Sequence, residues 1–244
     1  MTQFRIEKMR DHWDGKSADY SRDRVLSEVD KYLLSQIKLS PGQRILEIGA
    51  GSGIIGRELI RQNSGVIYYN LDLSLKFIRI ARENQGAEAI AVMGDAAKLP
   101  FRPESFDAVL EMDAIHHFPR HLLHQPVSEI GRVLKPGGIV YMAEDWGKKP
   151  VDEKEKLAYS LQNRRMLPSR GLEYHPSDDE WEKLFGSAGM IEILREHIAR
   201  PLNLEYFRSI ELPEAESEYN RLIEFWGDAQ PVTLMTIHIF EKQA

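Results

Sequence analysis

Between Ile45 and Gly56 the chain reads ILEIGAGSGIIG, with Gly51, Gly53 and Gly56 at the G-x-G-x-x-G spacing of a nucleotide-binding turn. Such glycines let a ligand approach the backbone, and the helix start that follows them suits negative charge. Two residues are out of place for a pyrophosphate: a further glycine, Gly49, and an acid, Glu47. Asp72, Asp95, Glu111 and Asp113 each fall at or just after the end of another apolar run. If those runs are parallel strands, their ends share one sheet edge and the acids converge on one crevice. The stretch DAIHHFPRHLLH then supplies His116, His117, His121 and His124, half of the eight histidines. His116 or His117 could take a proton near neutral pH, or could simply wall a pocket. Asp113 could orient one of them or cap the turn. His117, His121 and His124 have the spacing of one helical face, but no carboxylate or cysteine partner is set beside them, so no metal site is assigned.

The elements that must position these residues can be read from periodicity. Leu26, Val29, Leu33 and Ile37 share one face of a helix expected over 23–37, and Ser40-Pro41-Gly42 makes a turn after it. Then strands and helices alternate: RILEIG, a helix from about Ile54, VIYYNLD, a helix from Ser74, EAIAVMGD, FDAVLEMD, a helix through LLHQPVSEIGRVL, and GGIVYMAED. Alternation of this kind implies parallel strands joined by right-handed crossovers, with helices on both faces. A solvated helix is expected in VDEKEKLAYSLQNRRM and a loop from Pro168 to Pro176. Another helix should follow a Ser177/Glu180 capping signature, and MIEILREHI and PVTLMTIHIF should close the sheet.

A dinucleotide would bring a pyrophosphate next to Glu47, which would repel it. S-adenosylmethionine carries a sulfonium and an ammonium and has no phosphate, so a carboxylate suits it better. LEIGAGSG, Asp72 in LDLS, GDAAKLPF, FDAVLEMDAIHHF and RVLKPGG occur in order across residues 44–145. In these pieces the chain resembles the class I, Rossmann-like S-adenosylmethionine-dependent methyltransferases, and most of all the ubiquinone and menaquinone type. The resemblance implies an α/β fold: a seven-stranded mixed sheet with helices on both faces, the last strand antiparallel, and helical lid insertions. It implies one domain over 1–244, with a helical cap at 1–40, a cofactor core at 41–145, acceptor-pocket insertions at 146–230 and a closing strand at 231–244. It also implies contacts. Gly49, Ala50, Gly51 and Gly53 would line the methionine part, with Glu47 and the backbone around Glu111 near its ammonium. Asp72 would hold the ribose, Leu73 would flank the adenine, Asp95 would accept from its amine and Ala96 would supply an amide. Tyr20, or else Trp13, would cover the cofactor unless the two only pack the leader.

Charge and composition narrow the partners. Residues 203–230 hold seven acids against Arg208 and Arg221, where a nucleic-acid binder usually carries a basic stripe. A small-molecule acceptor is therefore expected, with no nucleic acid and no membrane, and a homodimer is a possible assembly. Phe207, Tyr219, Phe225 and Trp226 could form a lid over the acceptor, or a buried helix face or dimer contact. Arg164, Arg165 and Arg170 could meet an acidic acceptor, or belong to a solvated loop. The chain has no cysteine and no apolar leader, which suits a cytoplasmic protein. A methyltransferase of RNA or protein, a non-catalytic cofactor sensor and an NAD-dependent oxidoreductase are the alternative activities.

Overall fold

The computed structural model describes residues 2–145, 147–165, 174–201, 220–221, 224, 226–227 and 232–243. Two helices open the chain, α1 (Thr2–Asp23) and α2 (Glu28–Gln36). The periodicity had suggested a single helix from residue 23. Instead Ser27 starts a new one, because its hydroxyl accepts from the Asp30 amide at 3.1 Å while the Asp30 carboxylate accepts from the Ser27 amide at 2.6 Å. This reciprocal pair satisfies two amides that a helix start otherwise leaves open, and Leu26 falls outside it.

The core alternates β1 (Arg44–Ile48), α3 (Ile54–Gln62), β2 (Ile67–Asp72), α4 (Leu75–Gln85), β3 (Ala89–Met93), β4 (Phe106–Met112), α5 (His124–Val133) and β5 (Leu134–Asp145). It continues with α6 (Glu153–Arg165), α7 (Asp178–Ser187), β6 (Met190–Pro201) and β7 (Val232–Lys242). The strands form a seven-stranded sheet in the order β3-β2-β1-β4-β5-β7-β6. Neighbours from β3 through β5 are parallel, and β7 runs antiparallel to both β5 and β6. The order reverses between β1 and β4, and a crevice opens beyond the strand ends at such a point.

Helices cover both faces because the strands are apolar on both sides. Ile45 faces one layer with Val29, Leu33 and Leu59. Leu46 and Ile48 face the other, with Val127, Ile130, Trp181 and Phe185. Trp181 and Phe185 on α7 are fully buried against the second layer, which fastens α7 to the β1–β5 part of the sheet. Trp181→Ala should cost about 3–5 kcal/mol of unfolding free energy. The check is a lower urea midpoint with an unchanged slope; an unaltered midpoint would show that α7 contributes nothing to the core.

Candidate functional site

Above the ends of β1, β2, β3 and β4 lies a cleft with about 850 Å³ of empty space, part of it open to solvent. Its floor is the glycine turn after β1. Gly49 has φ +70° and a Cβ there would collide with Ala114, so only glycine lets the β1 and β4 turns meet.

Asp72 ends β2 and is buried. One carboxylate oxygen accepts from the Gly51 amide at 2.9 Å and the other from the Ser74 amide at 2.8 Å. Burial pushes its pKa up, and these backbone donors work against that rise. The Ser74 hydroxyl also bonds Asp14 of α1, which ties the amino-terminal helix to the cleft. Across β3, the Asp95 carboxylate accepts from the Ala97 amide at 2.9 Å and stands in the wall with Gly94 and Ala96.

α1 supplies the roof. Trp13 lies edge-on to His117 with ring centres 5.0 Å apart, and Tyr20 edge-on to Phe77 at 5.7 Å. Ile6 and Met9 add apolar wall. These four contributions from α1 and that of Phe77 make an aromatic and apolar enclosure of the kind a purine or thioether fills.

Of the residues expected from the sequence, the structure brings Tyr20, Gly49, Gly51, Asp72, Leu73, Asp95, Ala96 and His117 to the cleft, together with Trp13 and Asp113. The other five stand elsewhere. Ala50 and Gly53 shape the turn from behind: the Ala50 carbonyl accepts from the Gly53 amide at 2.9 Å, and Gly53 caps α3. Glu47 is a correction. Strand alternation turns its side chain to the Ile45 face, where the Tyr68 hydroxyl bonds it in the core and burial raises its pKa to about 8. It is neither at the rim nor firmly charged, so it cannot repel a pyrophosphate or greet an ammonium. Glu111 is similar. Its backbone neighbours Met112 and Asp113 reach the cleft, but its own carboxylate is buried, accepting from the Ala114 and Ile115 amides at 2.7 and 2.9 Å.

His116 lies one layer back, buried, with Nδ1 2.7 Å from a Glu144 oxygen. His121 and His124 are exposed on the stretch leading into α5, away from the cleft lining. Asp113, expected to orient a histidine or cap the turn, pairs with a guanidinium. It sits at φ +50° and accepts from Arg200 at 3.2 Å, and the same guanidinium nitrogen reaches Asp145 at 2.7 Å. Phe207, Tyr219, Phe225 and Arg170, with the side chains of Arg164 and Arg165, lie outside the described residues; Trp226 is described, with Lys154 5.5 Å over its ring. The sequence reading missed Phe77, Asp14, Arg200 and His175. Phe77 had a signal, an apolar residue in the first turn after the Asp72 strand. The others had none, because their partners are distant in sequence.

A parallel sheet reversing between β1 and β4, with a glycine turn, a β2-end carboxylate and an aromatic roof, defines a Rossmann-like nucleotide-binding protein. Residues 46–142 match the methyltransferase domain family. Those residues therefore carry a methyltransferase domain, and the fold around it is the one shared with the solved methyltransferases described next. It is 35% identical over 123 residues to a sterol 24-C-methyltransferase of Gibberella zeae, covering 49% of this chain and 32% of that one. The chain thus spans about a third of that relative's length. It shares the fold of a methyltransferase in a Haloferax volcanii complex with the Trm112 methyltransferase activator (TM-score 0.69, 22% identity, 95% and 98% of the two chains). It likewise shares the fold of a Haemonchus contortus phosphoethanolamine N-methyltransferase solved with S-adenosyl-L-methionine (TM-score 0.62, 22% identity, 95% and 57%). No helix among the described residues is long and apolar enough to cross a membrane.

Proposed function

We propose that this protein transfers a methyl group from S-adenosylmethionine to a small-molecule acceptor by in-line displacement. One observation carries the reading: Asp72, Asp95 and Asp113 line the cleft, and no lysine or arginine does among the described residues. A pyrophosphate would meet the Asp72 and Asp95 carboxylates with no lysine or arginine in the lining to offset them, since Arg200 is already taken up by Asp113 and Asp145. A sulfonium and an ammonium meet attraction, so the residues present fit this cofactor and disfavour a dinucleotide. The electrostatic preference first assigned to Glu47 belongs to Asp72, whose carboxylate is bonded to the glycine turn itself.

In this reading Asp72 accepts from the ribose hydroxyls, Leu73 flanks the adenine, Asp95 accepts from its amine and Ala96 supplies an amide. Gly49 and Gly51 let the methionine part lie against the backbone. Displacement at the sulfonium leaves a neutral thioether, so no acid is needed. Holding acceptor and methyl in line is worth up to about 7–11 kcal/mol, and Trp13 and Tyr20 cover the cleft from α1. An acidic cleft does not suit a nucleic acid, which leaves a small apolar or cationic acceptor as the better fit.

Incubation with methyl-labelled cofactor and a metabolite extract is the test. Label should appear in an extract component of low mass. Binding of S-adenosylhomocysteine with no transfer would mark a sensor, and binding of NAD alone would overturn the assignment. His117 stands where the acceptor would enter, beside Trp13. His117→Ala should lower kcat about 100-fold, the range for losing a group that takes a proton, with cofactor affinity unchanged. A fall of less than tenfold assigns His117 to the wall.

A further inference from the structure

Behind His117 lies a group of side chains that methyl transfer does not use. His116 and Glu144 meet at 2.7 Å through Nδ1, and the His116 amide points to the other Glu144 oxygen at 3.2 Å. The His175 ring stacks on His116 with centres 4.6 Å apart and planes 22° from parallel. The Tyr174 amide donates to the His116 carbonyl at 2.7 Å, which holds the 174–176 run in place. One ligand atom from each of His116, Glu144 and His175 lies within 4.8 Å of the others.

Glu111 is fully buried beside Glu144, and no lysine or arginine is paired with either among the described residues. Arg200, the nearby guanidinium, is engaged by Asp113 and Asp145.

We propose that His116, Glu144 and His175 bind one divalent transition-metal ion, with zinc as the ion their chemistry fits. Two imidazoles and a carboxylate form a borderline nitrogen and oxygen set, and three protein ligands leave a fourth position for water or a bound molecule. Ligands 2.0–2.1 Å from a tetrahedral ion stand about 3.3 Å apart, so His116 and Glu144, 2.7 Å apart, would part slightly while the stacked His175 ring would turn toward them. His175 would make the larger adjustment, since it belongs to an irregular run while His116 and Glu144 sit on a helical turn and a strand. The ion would join β5, the turn after β4 and the 174–176 run, and so fix the backbone that carries His117.

The test uses tag-free full-length protein stripped with a chelator, then titrated with zinc by calorimetry and with cobalt(II) by visible absorption. One ion per chain is expected. His175→Ala should weaken binding more than about 100-fold, beyond the cost of losing a merely supporting partner. A double variant of the exposed histidines, His121→Ala with His124→Ala, should bind as the parent does. Thermal melting shows whether each variant folds, and Glu144→Gln serves as a second probe of the same site. No saturable binding, binding retained in His175→Ala, or binding lost in the double variant would each overturn the proposal. S-adenosylhomocysteine titration is read separately, so failure of the methyltransferase reading leaves the metal result standing, and the reverse.

Discussion

Asp72→Ala should weaken S-adenosylhomocysteine binding by more than about tenfold in a calorimetric titration. A charged acceptor of two hydroxyl hydrogen bonds is worth roughly 1.5–3 kcal/mol, and each 1.4 kcal/mol is a factor of ten. The structure adds a second effect. Asp72 also accepts from the Gly51 and Ser74 amides, so alanine leaves two backbone donors without their partner. Each costs about 1–3 kcal/mol if water cannot reach it, so the variant should melt earlier as well. Asp72→Asn separates the two losses, because its carbonyl oxygen can keep one of the amide bonds. It should recover part of the stability and little of the affinity. Parent-like affinity in the alanine variant would remove Asp72 from the cofactor site.

The stability of the parent should fall as pH rises from about 5 to about 8, and Glu47→Gln should flatten that fall. Burial raises the Glu47 pKa from 4.5 to about 8, despite the bond from Tyr68 and the nearby charge of Arg24. The sign follows from proton counting. Between those two values the folded state holds a proton that the unfolded state has released, so raising the pH favours unfolding. Below pH 4.5 both states are protonated, and above about 8 both are ionised and the loss is complete. One proton gives a slope of up to about 1.4 kcal/mol per pH unit, hence a total on the order of a few kcal/mol. Glutamine keeps an acceptor for the Tyr68 hydroxyl and has no proton to lose. Denaturant melts of the two proteins at several pH values give the difference directly, and parallel curves would mean that Glu47 is solvated in the folded protein.

The Glu47 result shows how far local pattern reaches. Gly51, Gly53 and Gly56 and the apolar runs on either side specify a strand, a tight turn and a helix, because backbone freedom and periodicity are properties of adjacent residues. The same holds for Asp72 at a strand end and for the alternation of strands and crossovers, from which a parallel sheet can be read; the antiparallel strand followed from the family resemblance. That Glu47 and Glu111 lie near strand ends was also legible, but not the direction their side chains take. Strand alternation sends Glu47 to the Ile45 layer and places Glu111 against Glu144, which comes from another strand 33 positions later.

Sequence alone therefore determined the α/β class, the glycine turn and the carboxylates near the strand ends. Only the tertiary structure decided which acids face the cleft, that α1 roofs it with Trp13 and Tyr20, and that His175 stacks on His116. Helix and strand formation depends on near neighbours, which a sequence displays. Charge, burial and ligation depend on what other segments bring within a few ångströms, and that distance exists only once the chain has folded.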